Sequence, residues 1–305
     1  MVFAGVIFAL AAAFIQSCCY LISGAYVRRS SLQGWTLTAP QQITMMPFAL
    51  LLAVFFFPHD ADLDWKRLLL WNTLCMLSGY AGNFFLFQMQ KQVEPSRTAP
   101  LQTLKIPIIV VLSFLFFSKG YSFLQISGVC MIVVSSVLLS SAGTKLDFRT
   151  WAALLLCVFS FAVCDIAIAK MLEINSTAFD TRLESVLFTL GIGLLSTGVL
   201  ALPAIILQKR RSSVPRSSLW VRYALPYSVL WIAALVFLFS SFAVAGVEIG
   251  TMVQSSRSLI SVVTGYFLSF TCAFDGIETK ISRSVFIRRI ASAVLMVLSV
   301  VLYSR

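Results

Sequence analysis

Long apolar stretches separated by short polar joints dominate the chain. They predict ten membrane-spanning helices, at about residues 2–24, 34–57, 67–89, 96–117, 121–141, 149–170, 183–207, 221–244, 249–271 and 285–303. Each stretch is close to the ~20 residues that an α-helix needs to cross the hydrocarbon core of a bilayer. The apolar runs are continuous rather than alternating, which favours a helical membrane protein over a β-barrel. No joint is long enough for a soluble domain, so residues 1–305 are predicted to form one all-α membrane domain.

The composition agrees with this class of protein. The chain is 59% hydrophobic and 11% charged, and its mean hydropathy is +0.92, whereas a soluble domain is roughly 45–50% apolar and about 25% charged. The formal net charge is +11, but the basic residues lie almost entirely between the spans. There they indicate membrane topology and contacts with lipid headgroups, so we expect lipid as a partner and no nucleic acid.

The spans contain an internal repeat of five plus five. At a spacing of 152 residues, Gln102 falls on Gln254 and Lys105 falls on Arg257. A glutamine followed three residues later by a cation is rare in apolar spans, so this match is stronger than any match of Phe or Leu. Because each half has an odd number of spans, the second half must enter the membrane from the opposite side. The repeats, 1–145 and 146–305, are therefore predicted to be inverted.

The basic residues also predict an orientation. The joints after odd-numbered spans carry 15 Lys and Arg, against 6 in the even-numbered joints and the termini. The positive-inside rule then places the odd-numbered joints in the cytoplasm and both termini outside. The joint Gln208–Arg222 contributes much of this difference.

Lys105 and Arg257 are the main candidates for binding a substrate. A cation inside an apolar span costs roughly 2.5–3.5 kcal/mol on insertion scales, so it usually faces a cavity or a partner. Both lie near the bilayer midplane by residue count, and Gln102 and Gln254, one turn away, project from the same helix faces. Two cations with nearby amides predict a site for a carboxylate or a phosphate.

Asp165, in the sixth span, is the obvious acid that could compensate one of these cations. By the predicted topology it lies on the same side as Arg257, so an Asp165–Arg257 structural or gating pair is one interpretation. No acid is expected at the depth of Lys105, for which a substrate or counter-ion role is favoured. If Asp165 is free of Arg257, it could hold the ammonium group of a zwitterionic substrate.

Other residues could complete a cavity wall. Asn83 is a polar candidate, and Tyr80, Trp231 and Tyr266 are aromatic and central enough to line the site; for each, helix packing or a hydrogen bond between helices is the alternative. Glu94 and Glu248 begin the fourth and ninth spans, where a carboxylate suits a helix N-terminus. A proton-coupling role for them is less favoured than that capping role.

Catalysis, metal binding and cofactors are not expected. The seven cysteines form no CxxC or metal-ligand spacing, and cysteine in apolar spans acts as a small hydrophobe. The single histidine, His59, lies in an acidic loop, and no pair of carboxylates has catalytic spacing, which argues against a membrane enzyme. Small residues at Ser127-Gly128 and Ala291-Ser292-Ala293 predict close helix packing and a possible homodimer face.

Two pairs of stretches carry a family resemblance. VEPSRTAPLQTLKIPIIVVLSFLFF with SKGYSFLQISGVCMIVVSSVLLS, and VEIGTMVQSSRSLISVVTGYFLSF with SVFIRRIASAVLMVLSVVLYS, resemble the fourth-plus-fifth span units of the drug/metabolite transporter superfamily, EamA type. The resemblance implies ten transmembrane helices in two inverted five-helix repeats. It also implies that Lys105 and Arg257 correspond in kind to the Lys and Arg with which sugar-phosphate and nucleotide-sugar carriers hold phosphate.

Two features depart from that family. A Gly-Glu-Arg-like turn after the fourth span is replaced by Ser118-Lys119-Gly120-Tyr121, and family members usually keep both termini in the cytoplasm, against the distribution of charge. The resemblance implies a secondary active transporter, which we place in the inner membrane of a bacterium. We expect it to move a small polar, anionic or zwitterionic metabolite, such as an amino acid, a derivative or a phosphorylated compound, by alternating access. The alternative is a multidrug-type exporter of apolar or cationic compounds, which would need a free carboxylate in the membrane.

Overall fold

A computed structural model describes residues 2–29, 34–58, 63–141, 146–209, 220–268 and 283–303, and within these ranges all regular structure is helical. The helices are α1 (Val2–Arg29), α2 (Thr38–Phe55), α3 (Trp65–Met89), α4 (Pro95–Leu101), α5 (Lys105–Phe117), α6 (Phe123–Ser141), α7 (Phe148–Asn175), α8 (Arg182–Lys209), α9 (Leu225–Ala245), α10 (Val247–Gln254), α11 (Arg257–Leu268) and α12 (Arg283–Tyr303). Short 3-10 helices at Gly34–Leu37 and Gln102–Leu104 precede α2 and α5, and a π-helix at Trp220–Ala224 precedes α9. His59 and most of the joint Gln208–Arg222 lie outside the described residues.

In the part of the chain that the structure describes, six segments are long and apolar enough to cross a membrane: Phe3–Val27, Thr38–Phe55, Pro95–Phe117, Phe148–Asn175, Arg182–Ile205 and Arg222–Ala245. The prediction of an all-helical integral membrane protein is therefore confirmed. The other four predicted spans lie on α3, α6, α10 with α11, and α12, which are not among these six segments. The count of ten spans stays a prediction.

Large apolar side chains cover much of the outer surface. Phe3, Phe123 and Phe148 are 76%, 83% and 87% exposed. In water such a surface would promote aggregation, whereas in a bilayer it is the surface that contacts lipid.

The helices pack in pairs that join the two parts of the chain. α3 packs against α7, α1 against α9, α2 against α8, and α6 against α12. Small residues allow the last pair to approach closely: a Cβ added at Gly128 on α6 would lie 2.8 Å from the backbone oxygen of Ser299 on α12. Ser127-Gly128 therefore packs against a helix of the same chain, and the homodimer stays a prediction.

Two of the predicted spans are broken near their middle. The fourth consists of α4, the 3-10 turn Gln102–Leu104 and α5, and Pro100 and Pro107 on either side of the turn each remove a backbone donor from the helix. The ninth consists of α10 and α11, joined at Ser255 and Ser256, where the Ser255 hydroxyl donates to the carbonyl oxygen of Met252 at 2.5 Å. A serine hydroxyl that bonds the preceding turn competes with regular helix geometry.

The start of α7, which carries Asp165, is fixed by a polar cap. The Asp147 carboxylate accepts the backbone N–H of Thr150 at 2.8 Å, and hydrogen bonds from Thr150 lower the pKa of the Asp147 carboxyl. Gln92, in the joint before α4, accepts from the Thr150 hydroxyl at 2.7 Å and donates to Asp147 at 3.3 Å. The cap therefore ties α7 to the segment that leads into the first broken span.

Candidate functional site

The polar pairs found in the sequence flank the two helix breaks. Gln102 begins the 3-10 turn and Lys105 begins α5, while Gln254 ends α10 and Arg257 begins α11. All four side chains are buried and line one central cavity of about 80 Å³. Broken helices at the centre of a membrane protein expose backbone and side-chain polar groups only where these line a cavity or bury in protein.

Lys105 is compensated by Asp165, the acid that the sequence predicts beside Arg257. Its ammonium lies 2.6 Å from Asp165 Oδ2 and donates to Gln254 Oε1 at 3.2 Å. The predicted Asp165–Arg257 pair is therefore wrong, as is the expectation that Lys105 has no acid nearby. The reason is the packing of the helices: α5 lies against α7, which carries Asp165, whereas α11 lies against α4 and α1.

Arg257 is held by neutral groups. Its guanidinium donates to Gln16 Oε1 at 2.7 Å, to the Tyr20 hydroxyl at 3.0 Å and to Gln102 Oε1 at 3.0 Å. It also lies over the ring of Tyr20, 5.5 Å from the centroid. The Nε atom has no hydrogen-bond partner, and no carboxylate of the described ranges lies within 4.0 Å of the guanidinium.

A continuous hydrogen-bonded chain connects the two cations. Gln254 accepts from Lys105 and donates to Gln16 Oε1 at 2.6 Å, and the same oxygen accepts from Arg257. A fully satisfied buried polar network holds its members in one geometry, and among these four side chains Arg257 Nε is the buried atom that lacks a partner. Tyr20 was not among the predicted site residues. Gln16 and Tyr20 lie four residues apart on one face of α1, and this spacing is the signal that could have identified Tyr20.

The other predicted site residues are divided between the cavity and the surrounding bundle. Asn83 lines the cavity, donates to the carbonyl oxygen of Gly79 at 2.9 Å and leaves its Oδ1 without a partner. Trp231 lines it too, stacked on Tyr227 at 5.5 Å. Tyr80 and Tyr266 are not part of the lining, which corrects that prediction; Tyr266 stacks on Phe286 with ring centroids 3.9 Å apart.

A second cavity, of about 540 Å³, lies at one end of the bundle. The ends of α5, α7 and α9 and the starts of α8 and α10 form it. On its wall Lys119 pairs with Glu248 at 2.9 Å; the Lys119 side chain is 51% exposed and that of Glu248 is 5% exposed.

A drier ion pair lies where α4 begins. Glu94 pairs with Arg289 at 2.8 Å, and their side chains are 8% and 3% exposed. Arg289 also donates to the Ser96 hydroxyl at 3.1 Å. Glu94 occupies the N-cap position of α4 but makes no side-chain capping hydrogen bond, so the predicted capping role gives way to an ion pair between distant parts of the chain.

The site offers charged groups and hydrogen-bond donors and acceptors. Within the described ranges no group of three or more His, Cys, Asp or Glu side chains is placed to hold a metal ion. The central cavity is thus equipped to bind a polar molecule between two half-helices.

Comparison with known proteins adds family and fold. Residues 3–141 match the EamA-like transporter family, and no curated protein matches the chain. Solved structures do match, in 23 chains. One of them, titled "Crystal structure of protein", superposes over 95% of this chain and 95% of its own length, with a TM-score of 0.59 and 17% sequence identity. That likeness concerns the fold alone.

Proposed function

Since residues 3–141 belong to the EamA-like transporter family, part of the drug/metabolite transporter superfamily, we propose that the protein is a secondary active transporter of a small polar, anionic or zwitterionic metabolite. The observation that carries the proposal is the buried cluster of Lys105, Asp165, Gln254 and Arg257 at two facing helix breaks around a central cavity. Discontinuous helices near the midplane are a common way for transporters to build a substrate site. An amino acid, a derivative or a phosphorylated compound fits this class.

The proposed architecture is ten spans in two inverted halves, residues 1–145 and 146–305. The helix pairing supports it, because exchanging the halves turns the α1–α9 contact into the α7–α3 contact and leaves the α2–α8 and α6–α12 contacts unchanged. The breaks support it as well, since each has a glutamine and a cation three residues apart at its edges. The substrate cavity then lies on the interface of the repeats.

Alternating access would operate through the two ion pairs at the ends of the bundle. Each pair joins the halves: Lys119 with Glu248 at one end, and Arg289 with Glu94 at the other. The first borders the larger cavity and is half-exposed, and the second is dry. We infer a state closed at the Glu94 end and open toward the Glu248 end, which the charge distribution places outside the cell.

Loss of the central lysine tests the proposal. In proteoliposomes, Lys105→Ala should abolish uptake of a substrate identified by a thermal-shift screen over metabolite classes, because the variant removes one of the two cations of the cavity. Lys66→Ala, at an exposed position on α3, is the matched control and should transport like wild type. Unchanged uptake by folded Lys105→Ala would contradict the proposal that Lys105 belongs to the substrate site.

The alternative, an exporter of apolar cations, loses support from the position of Asp165. Such a transporter needs an unpaired carboxylate in its cavity, and Asp165 is bound to Lys105 at 2.6 Å. Uptake of tetraphenylphosphonium that depends on Asp165 would favour this alternative.

A further inference from the structure

Among the described residues, the charges around the central cavity leave one cation without a counter-charge. Three charged side chains of this part of the chain line it, Lys105, Asp165 and Arg257. Lys105 and Asp165 oppose each other at 2.6 Å, so the remaining charge is that of Arg257. A buried cation in a membrane interior is costly, and an anion that binds there offsets this cost.

The hydrogen bonds of Arg257 leave room for that anion. Its three protein acceptors are amide and hydroxyl oxygens of Gln16, Tyr20 and Gln102, which carry no formal charge. Arg257 is 3% exposed, and its Nε donor has no partner. A carboxylate oxygen can satisfy this donor and displace a neutral acceptor, since charge-assisted hydrogen bonds are about twice as strong as neutral ones.

Part of the cavity lining is apolar. Trp231, Phe239 and Leu235 of α9 and Phe161 of α7 belong to it. Buried apolar surface of this kind stabilises an apolar part of a ligand by roughly 25 cal/mol per Å². The cavity lining therefore offers both a cation and apolar surface.

We propose that the substrate is a monocarboxylate with an apolar body, whose carboxylate binds Arg257 and whose body lies against Trp231. This inference rests on the proposed transport function and narrows its substrate class. A phosphate monoester carries nearly two charges at neutral pH, and the second would lack a cation because Lys105 is already opposed by Asp165. The ammonium group of a zwitterion would have to compete with Lys105 for Asp165.

A ligand series of constant body and varying charge tests the proposal. The four-carbon set is butyrate, 2-aminobutyrate, butyl phosphate and butylammonium, and the phenyl set is phenylacetate, phenylalanine, phenyl phosphate and phenethylammonium. The first set suits a cavity of about 80 Å³; the second asks whether the cavity expands, because a cavity known to bind benzene has a volume of about 150 Å³. Binding is measured as the thermal shift of the full chain in detergent, and uptake in proteoliposomes.

In at least one set the monocarboxylate should give the largest shift in wild-type protein. Arg257→Gln should weaken its binding roughly tenfold to a hundredfold, the loss expected for a charged hydrogen-bond partner, and Arg257→Lys should restore part of it. Arg149→Gln, at an exposed position, is the matched control and should bind like wild type.

The ligand series does not depend on whether the variants fold. A larger shift with the zwitterion, the phosphate or the ammonium compound in both sets overturns the monocarboxylate class but leaves a transporter. Equal shifts across each set, or none, overturn it too. The proposed function itself fails only if folded wild-type protein takes up no metabolite of any class.

Discussion

At the level of single side chains, the Lys105–Asp165 pair decides which charge of the cavity stays uncompensated. Both side chains are 6% exposed, so their interaction is little screened by water or salt. It neutralises one charged group with another and leaves Arg257 as the free charge of the cavity. A buried pair of this kind is sensitive to the loss of one partner and tolerant of the loss of both.

We therefore expect Asp165→Asn to destabilise the protein by roughly 3–5 kcal/mol, because the variant removes the acid that pairs with the buried Lys105. Lys105→Met combined with Asp165→Leu should recover most of that stability without recovering transport. The measurement is reversible unfolding in mixed micelles. Glu173→Gln, which breaks the more exposed pair of Glu173 with Lys170, should cost less than about 1 kcal/mol. An Asp165→Asn variant as stable as wild type would contradict the expected role of the pair.

The sequence identified the cavity residues better than it identified their partners. The sequence identifies the cavity residues because a polar residue in an apolar span is costly and usually faces a cavity or a partner. These residues are Lys105, Gln102, Arg257 and Gln254. Counting residues gave their depth in the membrane but not the direction in which each helix face points. Asp165 was therefore matched with the wrong cation.

At the scale of helices, the broken spans were the main feature that the apolar pattern concealed. Pro100 and Pro107 are visible in the sequence, but proline is tolerated in membrane helices and does not by itself predict a break. The second break has no proline, only Ser255 and Ser256, which are common in continuous spans as well. The repeat of glutamine and cation marked both places without revealing that the helix stops there.

Close packing of α6 on α12 gives a prediction at this scale. Gly128→Ala should destabilise the protein by roughly 1–3 kcal/mol, because the new methyl group meets the backbone oxygen of Ser299 at 2.8 Å and cannot displace it easily. Gly193→Ala in α8, where the nearest atom is the Cys75 sulfur at 4.0 Å, should be neutral or stabilising, as alanine favours a helix by up to about 1 kcal/mol over glycine. Equal stabilities of the two variants, measured by thermal unfolding, would contradict this packing.

For the whole molecule, the two ion pairs, one at each end of the bundle, provide the clearest test of alternating access. Glu94→Gln leaves Arg289, 3% exposed, without its carboxylate, and should favour opening at that end. In a protein whose native cysteines are replaced, labelling of Val93→Cys by a membrane-impermeant maleimide should then speed up at least tenfold. Val93 is 0% exposed beside Glu94.

This end and the larger cavity are separated by most of the ~30 Å hydrocarbon core if they lie at its opposite faces, so the effect should be local to one side. Thr181→Cys, at an exposed position of that cavity, is the control, and its labelling should not speed up when Glu94 is neutralised. A Glu94→Gln variant that leaves the labelling rate of Val93→Cys unchanged would remove Glu94 and Arg289 from the gating mechanism.

Much of the global arrangement was accessible from the sequence because it depends on hydrophobic runs and a repeat. The all-helical class follows from the length of the apolar runs. Orientation depends on basic joints such as Gln208–Arg222, most of which lies outside the described residues, so it stays a prediction. The size and exposure of the two end regions depend on side-chain packing between halves, about which a linear pattern carries little information.

One contact has a practical consequence for following such motion. The sulfurs of Cys75 on α3 and Cys164 on α7 lie 3.7 Å apart, and the two helices belong to different halves of the proposed repeat. A reagent that bridges two thiols over a short distance can therefore trap this arrangement of α3 and α7. The yield of the bridged product then reports how often the two halves come together.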